Sequence, residues 1–276
     1  MTGDHPLIDR DIAEHYAGTA ERGRLSAGSN RLEFLRTRDL LARHLPSPPA
    51  RILDVGGAAG VYALPLAAQG YAVTLVDPLA RHVEQARAAS AAQPGTPLAG
   101  VELGDARSLT QPDASFDAVL LLGPLYHLVE QAERIAALAE ARRVVRPAGL
   151  VAAAGISRFA SLIDGLVRNW LEDPAFARIM ERDLTDGQHH NPSGHPAWFT
   201  TAFFTHPDEL AHEVRAAGLT LTALVGVEGI AWKLADLDAR LDDPTRRSVL
   251  LRGLRRVEAE PSLLGASPHL LALARR

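Results

Sequence analysis

The ten residues Arg51-Ile-Leu-Asp-Val-Gly-Gly-Ala-Ala-Gly60 constrain this chain more than any other stretch. Ile52, Leu53 and Val55 make a short apolar run of the kind that fills a parallel strand buried on both faces. Asp54 interrupts the run near its end, where a core residue is expected. Gly56, Gly57 and Gly60, with Ala58 and Ala59, then turn the chain without side-chain bulk, and Val61 to Ala68 reads as a helix. A strand, a small-residue turn and a helix let a ligand approach bare backbone at the end of a sheet.

Downstream the chain alternates. Strands are expected over 71–76, 98–103, 116–122 and 150–156, with helices over 79–92 and 131–145 among them. Strands separated by helices imply βαβ units and a parallel, doubly wound sheet. Upstream, 8–16 is short and partly amphipathic, and 18–30 is rich in Gly, Ser and charge. A helix is expected over 31–45, stopped by Pro46, Pro48 and Pro49. After 156 the alternation breaks. Helices are expected over 159–171 and 174–184, followed by a loop over 185–201 rich in His, Pro, Gly and Asn. A helix over 207–217, a sixth strand over 219–227, charged helix over 230–259 and a last strand over 268–274 complete the chain.

Composition narrows the class. The chain has 276 residues, 47% of them hydrophobic, enough for one large core or one domain with an elaborate insertion. A formal net charge of −4 gives no global basic field, so no nucleic-acid partner is expected. The lack of cysteine excludes disulfides, thiolate metal ligands and a Cys nucleophile. Residues 1–11 hold no apolar run of a secretory signal, and no stretch of about 18 apolar residues exists. A cytoplasmic protein with no membrane partner is the expectation.

Two nucleotide-type motifs fail at the turn. A dinucleotide fingerprint counted from Gly56 requires glycine at 58 and 61, where the chain has Ala58 and Val61. A phosphate loop requires Gly-Lys-Ser/Thr, and the turn has no lysine. Asp54-Val-Gly-Gly-Ala-Ala-Gly60 instead resembles the Asp/Glu-x-Gly-x-Gly-x-Gly motif of class I S-adenosylmethionine-dependent methyltransferases, with Ala58 in place of the middle glycine. Asp77, at the end of the second strand, resembles that family's ribose-binding acidic residue. Gly104-Asp105-Ala106, after the third strand, resembles its adenine-contacting motif. Residues 116–127 resemble its fourth motif. Arg143 to Gly149 resembles the turn before its fifth strand, with Ala148 departing from glycine. The resemblance covers 51–156 well and 203–225 and 267–275 loosely.

The resemblance implies a doubly wound, mostly parallel seven-stranded α/β sheet of Rossmann-like methyltransferase type. It also implies a helical N-terminal cap over 1–49, a core over 50–156, a helical lid insertion over 157–205 and the rest of the sheet over 206–276. The implied cofactor is S-adenosylmethionine, leaving as S-adenosylhomocysteine. Asp77 would accept from both ribose hydroxyls, with Pro78 beside it; Asp105 and Ala106 would meet the adenine. Gly56, Gly57, Ala58 and Gly60 would bring backbone to the amino-acid part, and Leu122 or Gly123 carbonyls would accept from its ammonium. Asp54 is counted with the cofactor-binding residues, and capping of the turn's amides is a structural alternative compatible with that role. Turn formation by Asp77-Pro78 and helix capping by Asp105 are the structural alternatives, and Asp117 reads as structural.

Methyl transfer from a sulfonium is an in-line displacement with a neutral leaving group, so positioning supplies much of the rate. A base is needed only where the acceptor loses a proton. His127, after the fourth strand, is the candidate base, against a structural role at the following helix. Tyr126 either orients the acceptor, contacts the cofactor or packs in the core. Trp170, Phe176, Met180, Trp198, Phe199, Phe203 and Phe204 cluster in 157–205, in a chain with only 5% aromatics, which points to an apolar acceptor pocket. His189, His190 and His195 lack carboxylates at ligand spacing, so no metal is expected, and His189 is a second candidate base. Tyr16, in Glu14-His-Tyr16, resembles residues that fold over the cofactor in small-molecule members. Arg22 belongs to the same covering segment, and Arg24 either meets a substrate carboxylate or pairs with Glu21.

The expected enzyme methylates O, N or C of a small-molecule acceptor, of secondary-metabolite type given an Ala- and Arg-rich, lysine-poor bacterial composition. A sensor that binds the cofactor, or a member repurposed for other chemistry such as cyclisation, is the alternative. RNA or protein methylation fits less well, because there is no basic tail, and Leu122-Gly-Pro-Leu-Tyr126 stands where amino-group nucleic-acid methylases carry Asn-Pro-Pro-Tyr. Assembly as a homodimer is left open.

Overall fold

A computed structural model describes residues 8–18 and 28–276. The expected strands are present as β1 (Arg51–Val55), β2 (Ala72–Asp77), β3 (Gly100–Leu103), β4 (Phe116–Leu121) and β5 (Val145–Ser157). Two short strands follow, β6 (Gln188–His189) and β7 (Ala202–Thr205), then β8 (Thr220–Gly226) and β9 (His269–Arg275). Seven of them lie side by side in the order β3-β2-β1-β4-β5-β9-β8. β1 to β5 pair in parallel; β9 runs antiparallel to β5 and to β8.

The helices are α1 (Arg10–Gly18), α2 (Gly28–His44), α3 (Ala63–Ala67), α4 (Ala80–Ala91) and α5 (Gln131–Val144). They continue as α6 (Ala160–Arg168), α7 (Pro174–Asp186), α8 (Pro207–Ala216), α9 (Leu237–Asp242) and α10 (Pro244–Arg255). Alternate residues of each central strand face opposite layers, as the two-residue strand period requires. Leu53, Val119 and Val151 pack with Leu138 of α5 and with Leu210 and Val214 of α8. Their neighbours Ile52, Leu120 and Ala152 pack with Leu40 of α2, Leu66 of α3 and Ala86 of α4. The central strands therefore read as continuous apolar runs because both faces are covered.

Four boundaries differ from the sequence reading. The helix after the glycine turn starts only at Ala63, since Val61 and Tyr62 still belong to the turn. β5 begins at Val145, which pairs with Phe116, and an irregularity follows around Ala148 at φ 61°. The helix expected over 159–171 breaks at Asn169, held left-handed at φ 58°, a conformation asparagine tolerates at a helix C-terminus. The expected loop over 185–201 contains β6, which pairs antiparallel with β7.

That hairpin places the inserted segment. Phe204 and Thr205 of β7 pair in parallel with Ile156 and Ser157 at the tip of β5. Ile156 also pairs with His269 of β9, so β7 uses the other edge of β5, beyond the end of β4. The insertion is thus hydrogen-bonded into the C-terminal rim of the sheet, beside the 3-10 turn Leu125–His127.

Arg134 of α5 fixes the same corner. It is buried and pairs with buried Glu213 of α8 at 2.7 Å. Its Nη1 donates to the carbonyls of Leu128 and Val129 at 2.9 and 2.8 Å. Its guanidinium lies 3.5 Å from the ring centroid of Phe203 on β7. Removing one partner of a buried, hydrogen-bonded pair leaves the other charge uncompensated. We expect Arg134→Ala to cost about 3–5 kcal/mol of stability, read by chemical denaturation. A loss below about 1 kcal/mol, the range of exposed pairs, would contradict the anchoring role.

Candidate active site

The C-terminal ends of β1, β2 and β4 converge on a cavity of about 180 Å³. Its wall includes Asp54, Gly56, Gly57, Ala58, Asp77, Pro78, Asp105, Ala106, Leu122, Gly123, Tyr126, His127 and Tyr16. Of the cofactor-binding candidates only Gly60 stays out of the wall; at φ 89° it shapes the turn behind. Two glycines are required by close approach. A Cβ on Gly57 would meet Asp54 Oδ2 at 2.8 Å, and one on Gly123 would meet the Gly56 carbonyl oxygen at 3.2 Å.

Asp77 is the hub of the turn. Its Oδ2 accepts from the Ala58 amide at 2.9 Å, and its Oδ1 accepts from the Leu79 amide at 3.0 Å and from His82 Nδ1 at 3.0 Å. Ala58 sits at φ 47°, the left-handed region that the family's middle glycine adopts without strain. The bond to Asp77 offsets that departure. Of the other turn amides, Gly56 and Gly57 donate to the Val76 carbonyl at 2.7 and 3.4 Å, and Gly60 donates to the Gly57 carbonyl at 2.9 Å.

The reading of Asp54 as a cap of the turn is therefore corrected for the Ala58 amide, which Asp77 takes. Asp54 Oδ2 is buried without a hydrogen-bond partner. Burial, with the nearby Asp77 charge second, pushes the Asp54 carboxyl up to about 7. Asp105 is also partly occupied: Arg107 donates to its Oδ1 and Oδ2 and pairs with Glu133. Asp117 is structural, accepting from the Arg51 amide at 2.7 Å and pairing with Arg146.

His127 is half-buried at the edge of this cavity. Its Nδ1 faces the Thr201 carbonyl oxygen at 3.3 Å and therefore carries the hydrogen; its Nε2 accepts from the Tyr16 hydroxyl at 2.8 Å. Desolvation pushes the imidazole down to about 4, so it is neutral in the ordinary pH range. Tyr16, from α1, and Tyr126 also line a second cavity of about 360 Å³. That cavity is walled by Trp170, Phe176, Trp198, Phe199 and Phe204, five of the aromatics expected there. Phe203 is not among them; it lies against Arg134 instead.

His189 is removed as a base. Both ring nitrogens are engaged, Nδ1 with Asp183 at 2.9 Å and Nε2 with the Trp198 carbonyl at 2.7 Å, and the ring stacks on Phe204. Asp183 also accepts from Ser161 at 2.5 Å, so this buried group knits α6, α7 and the hairpin together. Glu21, Arg22 and Arg24 lie outside the described residues. His82, Arg107 and, in the second cavity, Asp164, Trp232 and Lys233 escaped sequence reading. His82 and Arg107 had a local signal, lying five and two residues after Asp77 and Asp105; the others lie on turns and helices with no motif.

Comparison with known proteins agrees with this geometry. Residues 52–149 match the family model described as a methyltransferase domain. A ubiquinone biosynthesis O-methyltransferase of Methylocella silvestris is 32% identical over 216 residues, covering 72% of this chain and 75% of that protein. An S-adenosylmethionine-dependent methyltransferase from Mesorhizobium loti superposes with a TM-score of 0.58 at 20% identity, over 89% of this chain and all of that one. The CcbJ methyltransferase from Streptomyces caelestis gives 0.58 at 16% identity, over 98% and 97%. At such identities the last two show the shared fold. The chain belongs to the class I S-adenosylmethionine-dependent methyltransferases, and it is an enzyme that uses that cofactor. Among the described residues no helix is long and apolar enough to cross a membrane.

The raised Asp54 carboxyl yields a pH prediction. Its ordinary value is 3.8 and its folded value about 7, so between them the folded protein holds a proton that the unfolded chain has lost. Stability then falls as pH rises through that window. Asp54→Asn should stabilise the cofactor-free protein at pH 8, by on the order of 4 kcal/mol at most, and by much less at pH 5. Melting temperatures at the two pH values decide this; an equal gain at both would refute the buried-charge account.

Proposed function

We propose that this methyltransferase acts on a hydroxyl of a small, planar acceptor held in the second cavity, with His127 Nε2 receiving the proton. One observation carries the reading: a phenolic hydroxyl, that of Tyr16, already donates to His127 Nε2 at the junction of the two cavities. Thr201 fixes the tautomer, so the lone pair is aimed there. The relative's name as an O-methyltransferase supports a hydroxyl acceptor. On this reading the acceptor hydroxyl takes the place of the Tyr16 hydroxyl, Tyr126 flanks it, and 157–205 acts as the lid.

The residues of the first cavity suit the cofactor, which when bound supplies an electrophilic methyl group on a sulfonium. Asp54 Oδ2, an acceptor buried without a donor, suits the ammonium of the amino-acid end, beside the Leu122 and Gly123 carbonyls. The small residues Gly56, Gly57 and Ala58 leave room for that end. A carboxylate offers about four acceptor sites, and Asp77 has three donors on it. It takes one ribose hydroxyl directly, and a second where His82 gives way. Asp105 and Ala106 border the adenine, with Arg107 bracing Asp105, and Pro78 and Tyr16 close the cavity. Desolvation keeps His127 neutral, and a neutral imidazole is the form that accepts a proton.

Two variants test these roles. Asp77→Ala should weaken binding of S-adenosylhomocysteine about 100-fold, since charge-assisted hydrogen bonds are each worth about 1.5–3 kcal/mol. Unaltered calorimetric affinity in a folded variant sinks the ribose assignment. His127→Ala should lower kcat on a catechol acceptor by about 100-fold or more while cofactor affinity changes little. Undiminished kcat would remove His127 as the base.

A further inference from the structure

Of the 29 Lys and Arg residues in this chain, a single one is lysine: Lys233. Everywhere else a cation is needed, arginine serves. Lysine differs in being a compact, strongly hydrated point charge on a flexible stem, without the planar fork of arginine. Lys233 ends the 3-10 turn Gly229–Lys233 and lines the second cavity but not the first. Its side chain is mostly buried, and its ammonium lies 3.9 Å from the centroid of the Trp232 ring, which lines the same cavity.

The charges around it are unequal. Lys233 pairs with Asp164 Oδ1, and Arg168 Nε donates to that same oxygen at 2.8 Å. All three residues line the cavity. One carboxylate thus faces two cations, an excess of one positive charge within that trio, while Glu228 elsewhere in the wall carries a negative charge of its own. The other carboxylate in the wall, Glu228, is spent on protein donors: His269 Nδ1 at 2.6 Å and Ser267 Oγ at 3.1 Å. A buried cation with half a counter-charge, next to indole rings, suits an aromatic ligand that ends in one negative charge. A dianion such as a phosphate monoester would instead be repelled by Asp164 and Glu228.

We propose that the acceptor carries a carboxylate and that Lys233 is the residue that binds it, with Asp164 then held by Arg168 alone. This rests on the second cavity being the acceptor site. It gives the enzyme a specificity element at a distance from His127: the carboxylate end anchors while the hydroxyl end meets the base.

The uniqueness of Lys233 makes a direct test practical. Reductive methylation of the protein with 13C-formaldehyde labels Lys233 and the α-amino group, giving two signals, and K233R removes one and assigns them. With S-adenosylhomocysteine present, the labelled protein is titrated with 3-(3,4-dihydroxyphenyl)propanoate and, separately, with its neutral amide. The acid should shift the Lys233 signal saturably and the amide should not. In K233M the ratio of kcat/KM for acid over amide should fall about tenfold or more, the size of a charge-assisted hydrogen bond. Equal shifts with both probes, no shift with either, or an unchanged ratio would overturn the assignment. The wild-type titration does not depend on any variant folding. A Lys233 response without methylation of either probe leaves the carboxylate anchor standing and removes the hydroxyl reading. Methylation of both probes with no Lys233 response does the reverse.

Discussion

The Asp77 carboxylate holds together the two turns that open the cofactor cavity. It takes the Ala58 amide from the turn after β1 and the Leu79 amide from the turn after β2, and it fixes His82 in the first turn of α4. Buried polar groups must be paired, and a carboxylate with several donors is the strong way to do it. Because Asp77 satisfies the turn, Asp54 is left without that work and remains a buried acceptor. The two acids sit in one pocket with opposite circumstances, one with donors on both oxygens and the other with an oxygen unpaired. That contrast leaves the Asp54 oxygen available to a cationic ligand end, while Asp77 combines holding the turns with a remaining acceptor site.

His127, the proposed base, follows the same economy of partners. It is held by one carbonyl and so presents one lone pair, and desolvation keeps it neutral. Thr201 supplies the carbonyl, and Thr201 immediately precedes β7, whose pairing with β5 fixes its height above the sheet. Arg134 steadies the same region by gripping Glu213 and the carbonyls that follow His127. The placing of His127 is thus set by strand register and a buried ion pair rather than by the motif residues themselves.

The strands were legible because a parallel strand covered on both faces is apolar along its length, as Ala118–Leu121 is and as Ile52, Leu53 and Val55 are around the single interruption at Asp54. The site's glycines and acids were legible because they follow strand ends at fixed spacing. What the sequence hid depends on partners far along the chain. Tyr16 and His127 are 111 residues apart, and His127 and Thr201 are 74 apart. β6, with two residues, is too short to carry a periodicity. His189 read as a titratable loop residue, yet Asp183 and Trp198 consume both of its nitrogens. Lys233 drew no notice among the charges of 230–259, although its rarity was visible throughout.

The way β7 is stitched to β5 also decides how this molecule can admit a guest. The roof over the second cavity is an extension of the sheet, and lifting it would break strand pairing. α1 is fastened more lightly. Thr200 and Thr201 hydroxyls reach Asp11 at 3.3 and 3.2 Å, Tyr16 reaches His127, and Ile12 is the buried apolar plug. Such bonds are each worth about 1 kcal/mol net, so swinging α1 aside costs little beside unzipping the rim. α1 therefore meets both cavities at Tyr16 through side-chain contacts rather than strand pairing, and the Tyr16 hydroxyl on His127 is one of them.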